Sequence, residues 1–294
     1  MMKTFFKFLL STIVYTIVYI MANVVMPYSQ GLKELGTSDD PDGMVYLLIV
    51  TAFVCFTIYF IIRHSQFKGI KLFLNIVFVL FFVHLFMAQI ETLYFGYAFP
   101  ALTTLDVVLI MVAGLIPLLV TVPLMIKFFQ KNNDIATERM EMNLQSLLIK
   151  LGVIGIIYTC IYMIFGYFVA WQFEELRIFY SGSAEKLSFW PHLFSNDPKL
   201  YLFQILRGIL FAAFVLPLTS MIRAKMALMT SVCLVYAYLG IVLLLPTKLF
   251  PDMVRMGHFL EVTSSMILFG IIVGNILWNN RNQQQVKPAS GTLG

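Results

Sequence analysis

Glu261 stands three residues after His258, near the start of an apolar run from Val254 to Trp278 that is long enough to cross a bilayer. A charged residue at a bilayer centre costs about 2.5–3.5 kcal/mol on insertion scales, so an ionisable pair there is a functional hypothesis by default. His84, Glu91, Asp106 and Arg207 also sit in or beside apolar runs. The His258-x-x-Glu261 spacing puts both side chains on one helical face. His84 and Glu91 are seven residues apart, and two regular helical turns bring them onto nearly one face. Gln204 precedes Arg207 by one turn, and Ser265 extends the Glu261 face one turn deeper.

Three chemistries fit these residue types. The first is a structural network, in which carboxylates and Arg207 pair to offset desolvation and both histidines are neutral donors. The second is a binding site for a small solute or ion. Arg207 would hold an anionic group, and Glu91, Glu261, His84 and His258 would couple to protons. The third is a metal site built from His84, Glu91, His258 and Glu261. Two imidazoles and two carboxylates suit a divalent metal such as zinc. No HExxH pattern and no cysteine ligand accompanies that set.

The elements that position these residues are membrane spans. The chain has 294 residues, 60% hydrophobic and 12% charged. That is about half the roughly 25% charged residues of an average soluble domain. Mean hydropathy is +0.87. A helix crosses the hydrocarbon in roughly 20 residues. This ruler predicts an all-α, polytopic transmembrane helical bundle of eight spans, near 5–27, 44–63, 70–93, 101–127, 146–171, 199–222, 226–246 and 254–279. They form one transmembrane domain over 1–281, followed by a disordered tail over 282–294. The first run, Phe8 to Met26, exceeds the roughly 7–15 apolar residues of a signal peptide and reads as a transmembrane helix. Asp40-Pro41 and Asp197-Pro198 are helix-start signals before the second and sixth spans, and Asp252 is a candidate cap for the eighth. Asp134 is a candidate cap for a helix running into the fifth.

Basic residues mark one side of the bundle. Lys3 and Lys7, then Arg63, Lys68 and Lys71, then Lys127, Lys131, Arg139 and Lys150, then Arg223 and Lys225, and finally Arg281 and Lys287 alternate with connections such as the acidic 28–43 loop and the uncharged 94–100 segment. The positive-inside rule predicts both termini in the cytoplasm, as an even span count requires, in the plasma (inner) membrane. With that orientation the six ionisable residues all fall in the outer half of the bundle. The isoelectric point near 9.0 therefore reflects topology and gives no reason to expect nucleic acid.

The largest outer loop, 172–198, is rich in Phe, Tyr and Trp and is expected to lie along the headgroups. Gly270-x-x-x-Gly274 allows close helix approach. Pro117, Pro123 and Pro217 are candidate kinks in the fourth and sixth spans. Cys55, Cys160 and Cys233 read as free thiols. Glu174-Glu175 starts like the EExxxR motif of membrane-embedded CAAX-type proteases, but Phe179 stands at the arginine position, which excludes that family. No P-loop or dinucleotide fingerprint is present. The leading expectation is a small-solute or ion transporter with an outward-facing polar site. The alternatives are a metal-dependent intramembrane enzyme at the outer leaflet and a non-catalytic membrane subunit. The lipid bilayer is the one partner the sequence specifies; oligomeric state is not legible in it.

Overall fold

The computed structural model describes residues 2–36, 40–130 and 143–285. Among the described residues eight helices are long and apolar enough to cross a membrane, the number the sequence predicts. In chain order the helices are α1 (Met2–Val25), α2 (Gln30–Gly36), α3 (Gly43–His64), α4 (Gly69–Leu80) and α5 (Met87–Tyr94), with a π-helical segment, Phe81–Phe86, joining the last two into one span. They continue as α6 (Thr104–Phe129), α7 (Leu144–Phe168), α8 (Glu174–Ser181), α9 (Phe189–Ser195), α10 (Pro198–Phe214), α11 (Leu216–Met221), α12 (Lys225–Ile241) and α13 (Asp252–Gln285). The described residues contain no β-strand and one isolated bridge, Ser65 to Ile222. Lys131, Asp134, Arg139 and Lys287, with Asp39 and most of the expected tail, lie outside the described residues.

Local chemistry accounts for where the helices start. Asp197 accepts from the Lys199 N–H at 2.9 Å while Pro198 occupies the first turn of α10, as expected. Asp40 serves differently: it accepts from the Asp42 N–H at 2.9 Å and shapes the turn before α3, whose N-cap is Asp42. Asn143 caps α7 by accepting from Gln145 and Ser146. Of the three expected kinks, Pro217 breaks its span: α10 ends at Phe214 and α11 begins at Leu216. Pro117 and Pro123 sit inside an unbroken α6.

Packing holds the spans in one bundle. Ile58, Ile61 and Ile62 of α3, Leu72 and Ile76 of α4, Phe211 of α10, Tyr236 of α12 and Phe269 of α13 are fully buried in one core. Tyr236 stacks on Phe269 at 5.3 Å and donates its hydroxyl to the Phe211 carbonyl. A Cβ on Gly270 would meet the Cys233 backbone at 2.8 Å, and one on Gly274 the Met229 Cα at 2.9 Å. The glycine pair therefore seats α13 against α12, as its spacing implies. Phe5, Ile13, Met21, Leu74, Leu148 and Ile156 face outward, where lipid would cover them. Cys160 also faces outward, whereas Cys55 is buried; all three cysteines are free.

The connections divide between two faces. One carries the 65–68 and 222–224 turns with Arg63, Lys68, Lys71, Lys127, Arg223 and Lys225. The other carries α2, the 95–103 connection, α8, α9 and the 242–251 connection, and is lined with aromatic rings. Glu91, Asp106, Arg207, His258 and Glu261 lie in the halves of their spans nearer this aromatic face.

Candidate functional site

Arg207 lies ten residues into α10, about 14 Å below its start at 1.5 Å per residue. Helical side chains lean toward the N-terminus of their own helix, so Arg207 reaches up toward the aromatic face. Glu91, one turn from the end of α5, meets it there. Arg207 donates through both terminal nitrogens to the two Glu91 oxygens, at 2.7 and 2.6 Å. This two-pronged geometry is the strong form of the ion pair. The Arg207 side chain is 4% exposed and that of Glu91 37%. Arg207 also donates to Gln204 Oε1 at 3.0 Å, and the rings of Tyr158, Phe203 and Phe211 lie 5.6–5.7 Å from its guanidinium. Two buried donors in this nest, Arg207 Nε and Gln204 Nε2, have no acceptor among the described residues. Buried polar nitrogens are nearly always satisfied, so each such donor calls for an explanation.

A second constellation sits beside the first. His258 Nδ1 stands 3.6 Å from Glu261 Oε2. The other ring nitrogen, Nε2, is bonded to the Tyr180 hydroxyl at 2.9 Å. Tyr180 belongs to α8, and Gly257 lets that helix approach: a Cβ there would lie 2.5 Å from Leu176 Cδ1. Burial pushes the Tyr180 phenol up, and the carboxylates of Glu91 and Glu261 and the Tyr97 phenol add to it. One tyrosine thus feels both acids. Tyr158 and Tyr162 of α7 also lie in electrostatic reach of Glu91, Glu261 and Arg207. Phe95, Phe99, Phe179 and Phe250 roof the area, with Phe250 6.0 Å from the His258 ring.

The remaining expected members are placed elsewhere. His84 Nε2 bonds the Val235 carbonyl at 3.0 Å, and its ring stacks on Tyr238 at 3.9 Å, so it belongs to the α12 interface. The seven-residue spacing to Glu91 implies one face only for a regular helix. The π turn at Phe81–Phe86 widens the spiral between them. Among the described residues no three His, Cys, Asp or Glu side chains gather as a metal site, so the set of His84, Glu91, His258 and Glu261 does not assemble. Asp106 is spent on structure. It completes a capping box with Thr103 and accepts from the Ser29 N–H and hydroxyl at 2.7 and 2.6 Å. Arg255 is held by Asp252 and by the carbonyls of Leu243 and Leu244.

Tyr180 and the orphaned donors are the features that sequence reasoning missed. The capping box had a visible signal, Thr103-x-x-Asp106. Tyr180 had none, because it lies on a two-turn helix inside a stretch expected to be a loop, 78 positions from its partner. The fold and the site together define the class: eight apolar helices fit a multi-pass membrane protein with a buried polar cluster toward one face. Comparison with family models, with curated proteins and with solved structures gives no match.

Proposed function

We propose that the protein is a proton-coupled transporter of small anionic solutes, in which Arg207 binds the solute and Glu91 is the group the solute displaces. The observation that carries this reading is the two-pronged Arg207–Glu91 pair beside two unpartnered buried donors. The Glu91 carboxylate occupies the place that a solute carboxylate or phosphate oxygen pair would take. Arg is the side chain best shaped for that fork-to-fork contact. An anion binding there would find Arg207 Nε and Gln204 Nε2 ready to donate.

Exchange of one anion for another keeps the buried guanidinium neutralised throughout. That matters because an unpaired buried charge costs about 3–5 kcal/mol. Glu91 leaves most easily when protonated, which ties anion entry to proton uptake. Glu91 is the more exposed member of the pair, and the break at Val215 gives the sixth span a joint below Arg207. The many Lys and Arg residues at the opposite ends of the spans support an aromatic face, and a site, that open outward.

Flux in proteoliposomes tests the reading. With a proton gradient directed inward, radiolabelled acetate, lactate or phosphate should accumulate above the level of empty vesicles, and Arg207→Gln should abolish the excess. If none of the three accumulates above that level, and none raises the thermal stability of the purified protein, the proposal fails.

A further inference from the structure

Tyr94 and Phe203 stack face to face, with ring centroids 4.0 Å apart and planes 7° from parallel. Each ring sits one helical turn from a member of the ion pair. Tyr94 follows Glu91 by three residues on α5, and Phe203 precedes Arg207 by four on α10. Residues three and four apart are neighbours on a helix surface. Because α5 ends and α10 begins at the aromatic face, both rings lie on that side of the charges. They are half-buried, whereas Arg207 and Gln204 are buried. The Phe203 ring also stands 5.6 Å from the Arg207 guanidinium. Thus α5 meets α10 through two contacts, carboxylate on guanidinium and ring on ring. We propose that the solute is a monocarboxylate with a flat aromatic body. Its carboxylate takes the place of Glu91 on Arg207, and its ring takes the place of Tyr94 on Phe203. The assignment rests on Arg207 being the anion site.

The last turn of α5 has the chemical make-up of such a solute. Glu91 and Tyr94 are about 4.5 Å apart along the helix axis at 1.5 Å per residue. One carboxylate and one ring on a short spacer describe an arylalkanoate such as 3-phenylpropionate. Withdrawal of this turn uncovers the guanidinium and the Phe203 face together. Acetate or phosphate would restore the first contact alone, whereas an arylalkanoate restores both. Arg207 Nε and Gln204 Nε2, buried without an acceptor among the described residues, add donors at the carboxylate end. The Tyr158 and Phe211 rings, 5.7 and 5.6 Å from the guanidinium, make its other surroundings aromatic as well.

Charge narrows the class further. Among the described residues three arginines are buried, Arg177, Arg207 and Arg255. Arg177 is held by the carbonyls of Trp171, Gln172 and Ala184, and Arg255 by Asp252 and the carbonyls of Leu243 and Leu244. One guanidinium balances one negative charge. A dianion would bring a second charge into the nest without a partner, which burial penalises.

Thermal unfolding of the full chain in nanodiscs tests the proposal, with 3-phenylpropionate, acetate and phosphate as probes at matched ionic strength. Stabilisation by 3-phenylpropionate should reach half its maximum at about a tenfold lower concentration than acetate, the scale of one added ring–ring contact. Phosphate should need at least as much as acetate. The two partners of the stack should respond with opposite signs. Phe203→Leu removes the surface that receives the solute ring, and should bring the 3-phenylpropionate midpoint close to that of acetate in the same variant. Tyr94→Leu removes the competing ring, and should lower the 3-phenylpropionate midpoint below that of wild type. A ring pair that only braces α5 against α10 would shift both variants the same way, and that result overturns the proposal. So does acetate or phosphate matching 3-phenylpropionate, or a 3-phenylpropionate response that persists in Arg207→Gln, the mark of partitioning into lipid. In each of these cases an acetate response that Arg207→Gln abolishes leaves the anion site standing. Absence of any anion response that depends on Arg207 would end both readings.

Discussion

Gly208 and Gly155 bring α10 and α7 into backbone contact directly beside Arg207. A Cβ on Gly208 would lie 2.8 Å from the Gly155 Cα and 2.6 Å from the Tyr158 Cβ. Membrane helices without a hydrophobic drive between them rely on such close approaches. The contact also fixes the distance between the Arg207 guanidinium and the Tyr158 ring, 5.7 Å. Gly208→Val should therefore destabilise the detergent-solubilised protein by about 1–3 kcal/mol through overpacking. Gly152→Ala, on the same helix as Gly155 but with nothing within 4 Å of the new Cβ, should not lower the melting temperature. Equal melting of the two variants would remove the close crossing as a determinant of the site.

Asp106 should matter for folding and not for binding. Its carboxylate accepts from the backbone and side chains of Ser29 and Thr103, tying the end of α1 to the start of α6. Asp106→Ala leaves these donors without their acceptor, at about 1–3 kcal/mol for each buried group left unpaired. Thermal unfolding should show a large loss, while any anion-induced stabilisation keeps its wild-type midpoint concentration. A changed midpoint would place Asp106 in the site.

The eight spans were legible because an apolar run matched to bilayer thickness is a signal independent of tertiary contacts. The Gly270/Gly274 seam was legible for a similar reason, since spacing alone puts both on one face. The convergence of the ionisable residues was legible only in part. Glu91 and Arg207 meet, and His258 and Glu261 adjoin, but the alignment of His84 with Glu91 assumed regular pitch through Phe81–Phe86. A π turn has no compositional mark among so many phenylalanines. Tyr180 reaches His258 through packing of α8, a contact between residues 78 positions apart that no local pattern encodes.

Alkaline stability offers a check on the aromatic face. Burial pushes the Tyr28 phenol up to about 12, with Tyr19 and Asp106 adding to it, and the Tyr180 phenol is raised further. A folded-state value above the unfolded one, about 10 for tyrosine, means the stability it contributes is complete below pH 10. It is lost as pH rises through the folded value. Helical circular dichroism against pH should hold to about 10 and fall above it, and Tyr28→Phe should make the fall shallower. An unchanged alkaline limb in Tyr28→Phe would contradict the assignment.

Orientation is tested by surface labelling. Single-cysteine variants at Ser181, beside α8, and at Lys225, on the basic face, should react differently with an impermeant maleimide. Ser181 should label in intact cells and Lys225 only after permeabilisation. The reverse pattern would turn the site toward the cytoplasm.

The measurement closest to the central claim is the stability of Glu91→Gln as a function of added anion. Removing the carboxylate leaves Arg207 buried without its counter-charge, at a cost of about 3–5 kcal/mol. If Arg207 is an anion site whose occupant is normally Glu91, acetate, lactate or phosphate should restore the lost stability. Half-recovery should come at a concentration at least tenfold below that needed to stabilise wild type. The effect should be absent in the Glu91→Gln, Arg207→Gln double variant. A Glu91→Gln protein that no small anion rescues, or that is rescued equally with Arg207 removed, would show the pair to be scaffold and the transport reading to be wrong.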